Sequence, residues 1–248
     1  GPSVFVVYGT FSWFRYALLG NTGYAWSEDI KYSDYSLLGV LGAQYRIDEN
    51  WSAGMIIQTP NVHLSGDGEY LEKEVNLGVP ASSYLDNPDV ENKIPTRIAA
   101  GVAYQVPNKY AVALDLTYHF ATGFNRLEGD DQFGNYRYYP LSREATFNVN
   151  LGGEYYLTDR YPVRAGIFTN LSSAPEADVN RSWQPAHIDK YGITASVGRE
   201  AENTTLNLGI NYVRGSGDAV GFDEAAETVI VDARESYLYV FLASSYLF

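Results

Sequence analysis

Apolar and polar residues alternate strictly along several segments of the chain. In residues 97–106 the even-numbered positions Ile98, Ala100, Val102, Tyr104 and Val106 form an apolar face, and the odd-numbered positions face the other way. Pro107–Lys109 predicts a turn. After it, residues 110–120 alternate in the same manner. A period of two is the signature of a β-strand, so the pattern predicts a β-hairpin.

The same unit recurs along the chain. Further hairpins are predicted over residues 36–59, 144–171 and 191–212, with turns at Asp48–Asn50, Thr158–Arg160 and Glu200–Asn203. A first strand over Val4–Tyr16 and a last one over Ser236–Phe248 complete the set. The pattern therefore predicts about ten antiparallel strands in a single domain that covers residues 1–248.

Long segments rich in Gly, Asp, Asn, Pro and Ser separate these hairpins. They cover Gly20–Tyr35, Gly66–Lys93, Thr122–Ser142, Ser172–Pro185 and Gly215–Glu227. Short turns thus alternate with long loops, as in an outer-membrane barrel with its periplasmic turns and extracellular loops. The expected fold is an all-β, transmembrane, antiparallel up-and-down β-barrel in the outer membrane of a Gram-negative bacterium. A soluble all-β protein is the alternative.

Composition excludes several classes of function. The net charge of −13 argues against nucleic acid as a partner. The chain has no Cys, so thiolate metal sites and thiol enzymes are excluded. No segment has the ~18 consecutive apolar residues of a membrane helix, but a strand needs only ~10 and shows lipid every second side chain.

Aromatic residues gather near the ends of the predicted strands. The chain has 22 Tyr, and several aromatic residues have the lipid-facing parity: Tyr104, Tyr110, Tyr118, Phe120, Tyr155, Tyr212 and Tyr246. This placement is typical of the aromatic girdles at the two membrane interfaces. The end of the last strand, Tyr246-Leu247-Phe248, resembles the C-terminal signal of outer-membrane proteins. No signal peptide is visible at the N-terminus.

Three stretches resemble the FadL-type long-chain fatty acid transport family of outer-membrane channels. They are Ile94–Tyr104 with Ala113–Tyr118, Asn150–Tyr155 leading to Val163–Gly166, and Ile57–Pro60 leading to Ser65–Gly66. The resemblance implies a barrel of fourteen strands, plugged by an N-terminal hatch, that passes fatty acids or aromatic hydrocarbons. The family's Asn-Pro-Ala hatch motif is absent before the first strand, so we expect the chain to correspond to the C-terminal portion of such a barrel. A complete ten-stranded relative is the alternative.

Candidate ligand contacts follow from the lumen-facing parity. The polar candidates are Arg97, Asp115, His119, Glu154 and Arg164, and the aromatic candidates are Tyr237, Tyr239 and Phe241. An apolar path with a few placed polar groups suits an amphipathic ligand, and Arg97 or Arg164 could meet a carboxylate head group. The alternative is that the charged side chains pair into ladders that brace the barrel, while the aromatic rings pack against the hatch or each other.

The predicted function is uptake of hydrophobic small molecules such as long-chain fatty acids or aromatic hydrocarbons, without enzymatic activity, cofactor or metal. The three histidines, His63, His119 and His187, lack a Gly-x-Ser-x-Gly motif or a paired Asp. Expected partners are the hydrophobic ligand, outer-membrane lipid and lipopolysaccharide, with protein partners at the long acidic loops as a further possibility. A barrel used as a scaffold or shuttle for protein partners in a secretion system is the alternative function.

Overall fold

The computed structural model describes residues 1–19, 23–85, 87–181, 184–223 and 227–246. These residues form antiparallel strands joined by turns and loops, and none of them lies in a helix long and apolar enough to cross a membrane. The strands are β1 (Pro2–Leu19), β2 (Tyr24–Arg46), β3 (Trp51–Gln58), β4 (Val62–Asn76), β5 (Val79–Leu85), β6 (Asp89–Val90), β7 (Arg97–Val106), β8 (Tyr110–His119), β9 (Thr122–Asp130), β10 (Tyr136–Arg143), β11 (Thr146–Tyr156), β12 (Pro162–Asn170), β13 (His187–Ala201), β14 (Thr204–Phe222) and β15 (Thr228–Tyr246).

One antiparallel sheet contains all the strands predicted from the alternation. Its neighbours run in the order β1-β2-β3-β7-β8-β11-β12-β13-β14-β15, and we call these strands the wall. Among the described residues, β1 pairs only with β2 and β15 only with β14. The all-β, up-and-down antiparallel fold is therefore confirmed. Leu247 and Phe248 of the predicted C-terminal signal lie outside the described residues.

Four of the five predicted long loops are wrong, because they consist largely of strand. Gly20–Tyr35 contains the first part of β2, and Gly215–Glu227 contains the end of β14. Gly66–Lys93 contains most of β4 with β5 and β6, and Thr122–Ser142 contains β9 and most of β10. These strands pair with other strands along their backbones while their side chains meet water or the protein, so no apolar alternation marks them. In Ser172–Pro185, the described residues form no strand.

Strand β2 has different neighbours along its two halves. One edge pairs with β1 from Tyr24 to Leu41. The other edge pairs with β4 over Tyr24–Leu37, with a register shift between Tyr35 and Ser36, and with β3 over Val40–Arg46. The change of neighbour falls at Pro60, whose missing N–H suits the end of a strand. The β4–β5 hairpin is thus a direct extension of the wall.

A second, small sheet of β10, β9 and β6 packs against one face of the wall, and we call it the cap sheet. The cap sheet contacts the larger sheet through a cluster of buried apolar side chains, in which Leu127 is 0% exposed. The cluster contains Ile30, Tyr70, Leu85, Val90 and Leu127. A Cβ on Gly68 would lie 2.7 Å from Val90 Cγ2 and 2.9 Å from Leu127 Cδ2, so glycine permits this close approach.

The registers assign every wall residue to one of two faces. Gly54, Gly101, Asp115 and Asn150 lie side by side on the inner face, which carries the cap sheet. The outer face exposes large apolar side chains, including Leu151 at 42%, Ile167 at 58% and Ile193 at 56%. Exposed apolar surface this extensive marks a face that is covered by something other than water.

Aromatic clusters occur at both ends of the hairpin formed by β7 and β8. At the end with the short turns, the ring centroid of Tyr104 lies 5.0 Å from that of Trp51 and 5.9 Å from that of Tyr110. At the other end the centroids of Tyr118 and Phe120 are 4.9 Å apart. The strand between them, β8, has 10 residues, which matches the ~9–11 residues needed to cross a bilayer at a tilt.

Candidate functional site

All eight candidate residues lie on the inner face of the wall. The strand registers place Arg97 opposite His119, Glu154 opposite Arg164, and Phe241 opposite Gly209. The rest of the set is Asp115, Tyr237 and Tyr239. Their shared face is what the alternation predicted, while their role as ligand contacts stays a prediction. The structure divides them into three groups with different surroundings.

The first group is an ion-pair brace around Arg164. Arg164 Nε donates a hydrogen bond to Glu154 Oε2 at 2.6 Å, and its terminal nitrogens donate to Asn207 Oδ1 at 2.5 Å and to Glu200 Oε1 at 3.4 Å. The hydroxyl of Tyr156 donates to the Glu200 carboxylate at 3.2 Å. Each of these contacts joins different strands, so Arg164 and Glu154 fit the brace alternative better than a contact with a ligand head group.

Replacing Arg164 by Met should leave Glu154 and Glu200 as facing carboxylates without their cation. We expect the free energy of unfolding to fall by about 1–3 kcal/mol, a range between exposed and buried ion pairs, because the three side chains are 34%, 21% and 31% exposed. Urea unfolding in detergent micelles measures this. The double variant Arg164→Met with Glu154→Leu should recover part of the loss, and an unchanged free energy for Arg164→Met alone contradicts the brace.

The second group is an aromatic row on β15. The ring centroids of Tyr237 and Tyr239 are 5.3 Å apart, and Lys190 Nζ lies 5.7 Å from the Tyr237 centroid while it pairs with Glu235 at 2.7 Å. Phe241 covers Gly209 on the neighbouring strand, where a Cβ would collide with the ring. The row therefore lines the inner face with aromatic surface, and the small residue beside it leaves room for the ring.

Phe168 on β12 extends this aromatic surface and covers Gly192 of the neighbouring strand β13. Phe168 lies on the inner face like the eight candidates. The period-two alternation of β12 could have identified it as a further candidate. The Lys190–Glu235 pair was not predictable as a pair, because its partners belong to strands that meet only through β14.

The third group is Arg97, His119 and Asp115. Arg97 Nε is buried and makes no hydrogen bond among the described residues, and His119 Nδ1 lies 3.4 Å from Thr146 Oγ1. Asp115 approaches Gly101 closely on the neighbouring strand. Five strands separate β7 from the aromatic row of β15 along the sheet, namely β8, β11, β12, β13 and β14. Arg97 is therefore not a sheet neighbour of the aromatic row.

His63 has the Asp partner that the sequence reading did not find. Its Nδ1 lies 2.7 Å from Oδ1 of Asp34, a residue that is only 2% exposed. The pair joins β4 to β2 across a separation of 29 positions, so no local sequence motif could predict it. His63 lies directly opposite Ser36, whose buried Oγ has no hydrogen-bond partner among the described residues.

His63 also lines a cavity with a volume of about 1000 Å³. The cavity lies between β4, the cap sheet and the loop that precedes β13. Its charged lining comprises Asp89, Glu91, Lys93, Glu128 and Arg181, and its apolar lining includes Val90, Phe124 and Leu141. Its volume is in the range of small-molecule sites, and its mixed lining resembles an entrance more than an apolar binding pocket.

The fold and this inner face define a structural class, that of up-and-down antiparallel β-barrels. CymD, described as a monoaromatic hydrocarbon channel, has the same fold with a TM-score of 0.67 and 12% identity, over 99% of this chain and 68% of its own. The P. putida toluene transporter TodX matches with a TM-score of 0.66 and 13% identity, over 99% of this chain and 65% of its own. The barrel fold implied by the FadL resemblance is therefore confirmed.

The chain spans about two thirds of the length of these two structures. No family model matches the sequence, and no curated protein does. At this level of identity the similarity is one of fold.

Proposed function

We propose that the wall belongs to an outer-membrane channel for the uptake of hydrophobic small molecules, such as long-chain fatty acids or aromatic hydrocarbons. The observation that carries this proposal is the aromatic row of Tyr237, Tyr239 and Phe241 on the inner face. A water-filled pore has no need of such a row, whereas apolar lining is what a hydrophobic ligand requires. The fold shared with two hydrocarbon channels supports the same conclusion.

The outer face supports a location in the outer membrane. Its apolar side chains are exposed to solvent in the isolated chain, and aromatic clusters border them at both strand ends. A bilayer covers such a face with hydrocarbon and places the aromatic rings at the two interfaces. The outer face would thus contact membrane lipid while the inner face contacts the ligand.

Phe241→Arg should abolish uptake of a radiolabelled hydrocarbon or fatty acid by cells that depend on the channel. The substitution places a charge in the aromatic row. A hydrophobic ligand that passes the row would have to displace the water around that charge, which is unfavourable. Ser245→Arg, an inner-face change of the same charge near the end of β15, is the control that should keep uptake near that of the parent. Normal uptake in the Phe241→Arg variant, together with loss of a bound protein partner, would favour the scaffold alternative.

A further inference from the structure

We propose that the face of the cap sheet that points away from the wall is a docking surface for a basic segment of a partner protein. The inference goes beyond the proposed uptake function and does not depend on it. It narrows the partner that the acidic segments suggested to one surface and one chemistry. We call this surface the cap face, and it consists of Asp89 on β6, Glu128 and Asp130 on β9, and Tyr136 and Tyr138 on β10.

The strand registers of the cap sheet place these five side chains on one face. One cross-strand pair of β6 and β9, Val90 with Leu127, is buried against the wall. Since successive residues of a strand point to opposite faces, the adjacent pair, Asp89 with Glu128, points away from the wall. The cross-strand pairs that build the cap face are Asp89–Glu128, Glu128–Tyr138 and Asp130–Tyr136.

The two rings of the cap face are open to solvent. Tyr136 is 60% exposed and Tyr138 is 58% exposed. Their ring centroids lie 6.4 Å apart at an interplanar angle of 33°, so the rings stand side by side. The cap sheet lies on the inner face of the wall, so bilayer lipid does not cover these rings. Exposed tyrosines at adjacent positions of one face are typical of protein interaction surfaces.

The carboxylates of the cap face have no basic partner. Within the described part of the chain, no Lys or Arg nitrogen lies within 4.0 Å of a carboxylate oxygen of Asp89, Glu128 or Asp130. Asp89 and Glu128 lie directly opposite each other, and like charges in such a pair destabilise a sheet. Glu128 Oε2 accepts a hydrogen bond from Asn125 Nδ2 at 2.7 Å, which leaves this repulsion in place.

The negative charge of the cap face also acts on its rings. A hydrogen bond to Glu128 is the largest cause that raises the pKa of the Tyr136 hydroxyl, and the charges of Glu128, Asp89 and Asp130 raise it further. A negative potential of this kind favours a cation at the same place. Aromatic faces attract ammonium and guanidinium groups, and carboxylates bind them through charge-assisted hydrogen bonds. The cap face thus combines the two kinds of group that recognise a basic side chain.

The spacing favours several basic side chains on one extended segment over a single small cation. Tyr136 and Tyr138 are alternate residues of a strand, so their positions lie about 7 Å apart. Alternate side chains of an extended peptide repeat at the same distance. Three carboxylates and two rings also offer more partners than one ammonium group can use. The occupant is therefore an extended segment with Arg or Lys at alternate positions, drawn to a chain of net charge −13.

The test titrates the purified protein, in micelles of a neutral maltoside detergent, with a fluorescent Arg-Gly-Arg-Gly-Arg peptide and follows the anisotropy. The matched peptide carries citrulline, which has the shape of arginine without its charge. We expect one arginine peptide per chain, bound at least roughly tenfold more tightly than the citrulline peptide at about 0.15 M salt. Spermine is the competitor that lacks a peptide backbone. Displacement by spermine at the peptide's own Kd would show a polyamine site and overturn the proposed occupant.

Charge variants separate the cap face from the general acidity of the chain. Asp89→Asn combined with Glu128→Gln should weaken peptide binding about tenfold. Asp67→Asn combined with Glu69→Gln removes the same number of charges from β4, on the face opposite to the one where Gly68 meets the cap sheet. This control should bind the peptide as the parent does. An equal loss in both double variants shows attraction to net charge alone and refutes the docking surface.

A tyrosine variant tests the aromatic part of the cap face. Tyr138→Ser should weaken peptide binding about two- to fivefold, as expected for a cation over an exposed ring. Tyr84→Ser, on β5 and 46% exposed, removes the same atoms elsewhere and should leave the affinity unchanged. The loss in Tyr138→Ser should persist when added salt weakens the ionic contribution. Unchanged affinity in Tyr138→Ser refutes a role for the rings.

Melting temperatures without peptide distinguish docking from a structural role. Asp89→Asn should melt at the parent's temperature or above, because it removes a cross-strand repulsion. A lower melting temperature assigns the carboxylate to the stability of the cap sheet and overturns the proposal. Normal uptake without peptide binding refutes the docking surface alone. Peptide binding by a chain that supports no uptake refutes the proposed function and leaves the docking surface standing.

Discussion

An Ile193→Arg variant is expected to fail assembly into a bilayer. Ile193 lies on the outer face near the middle of β13 and is 56% exposed. Its cross-strand neighbour on β12 is Ile167, also an outer-face residue. An arginine on the lipid face near the bilayer midplane costs about 2–4 kcal/mol of folding free energy, and the lost isoleucine adds to this.

The measurement is the assembled fraction in lipid vesicles, seen as the heat-modifiable band on a gel. Thr194→Arg is the matched control, because Thr194 is the next residue and lies on the inner face opposite Gly166. We expect the control to assemble far better than Ile193→Arg. A protein that folds in buffer without detergent, with both variants behaving alike, would instead support a soluble all-β protein.

Leu127→Ala is expected to release the cap sheet while the wall stays folded. Leu127 is fully buried at the centre of the contact between the cap sheet and the wall, against Val90, Tyr70 and Ile30. Truncating a buried leucine costs about 2–5 kcal/mol. The cap sheet has three strands, one of them of only 2 residues, so it has little other burial to offset that loss.

Hydrogen exchange resolves this effect by strand. Amides of β9 and β10 should lose protection in Leu127→Ala, while those of β13 and β14 should keep theirs. Leu77→Ala removes the same atoms at a residue that is 81% exposed and should change neither set. Loss of protection over the whole wall would show that cap sheet and wall unfold as one unit.

The wall strands could be predicted because a two-sided environment leaves a period of two in the sequence. In β8 every outward position from Tyr110 to Tyr118 is apolar or aromatic. Both the presence of the strand and the direction of its side chains could therefore be predicted. The faces of all eight candidate residues followed from this parity. The predicted hydrophobic ligand and outer-membrane location are argued from the same faces and still await the experiments above.

The cap sheet and the β4–β5 hairpin could not be predicted, because their strand partners are distant in sequence and their two faces show no division into apolar and polar positions. Strand β4 contains Gly66 and Gly68, and glycines are typical of loops. The strand nevertheless pairs with β2 over most of its length. The same holds for two long-range side-chain contacts. The His63–Asp34 pair and the stacking of Arg126 on Phe11 join residues that only the assembled sheets bring together.

The exchange of neighbours along β2 has a consequence for engineering. Since β4 continues the hydrogen-bonded ladder of β2 beyond the end of β3, the β4–β5 hairpin cannot be transplanted into another barrel as a simple surface insertion. A chimera that imports this hairpin would have to bring the matching half of β2 and its partner β1 as well. The hairpin and the strands that support it would then be inherited as one unit, with crossover points at the short turns on the opposite rim.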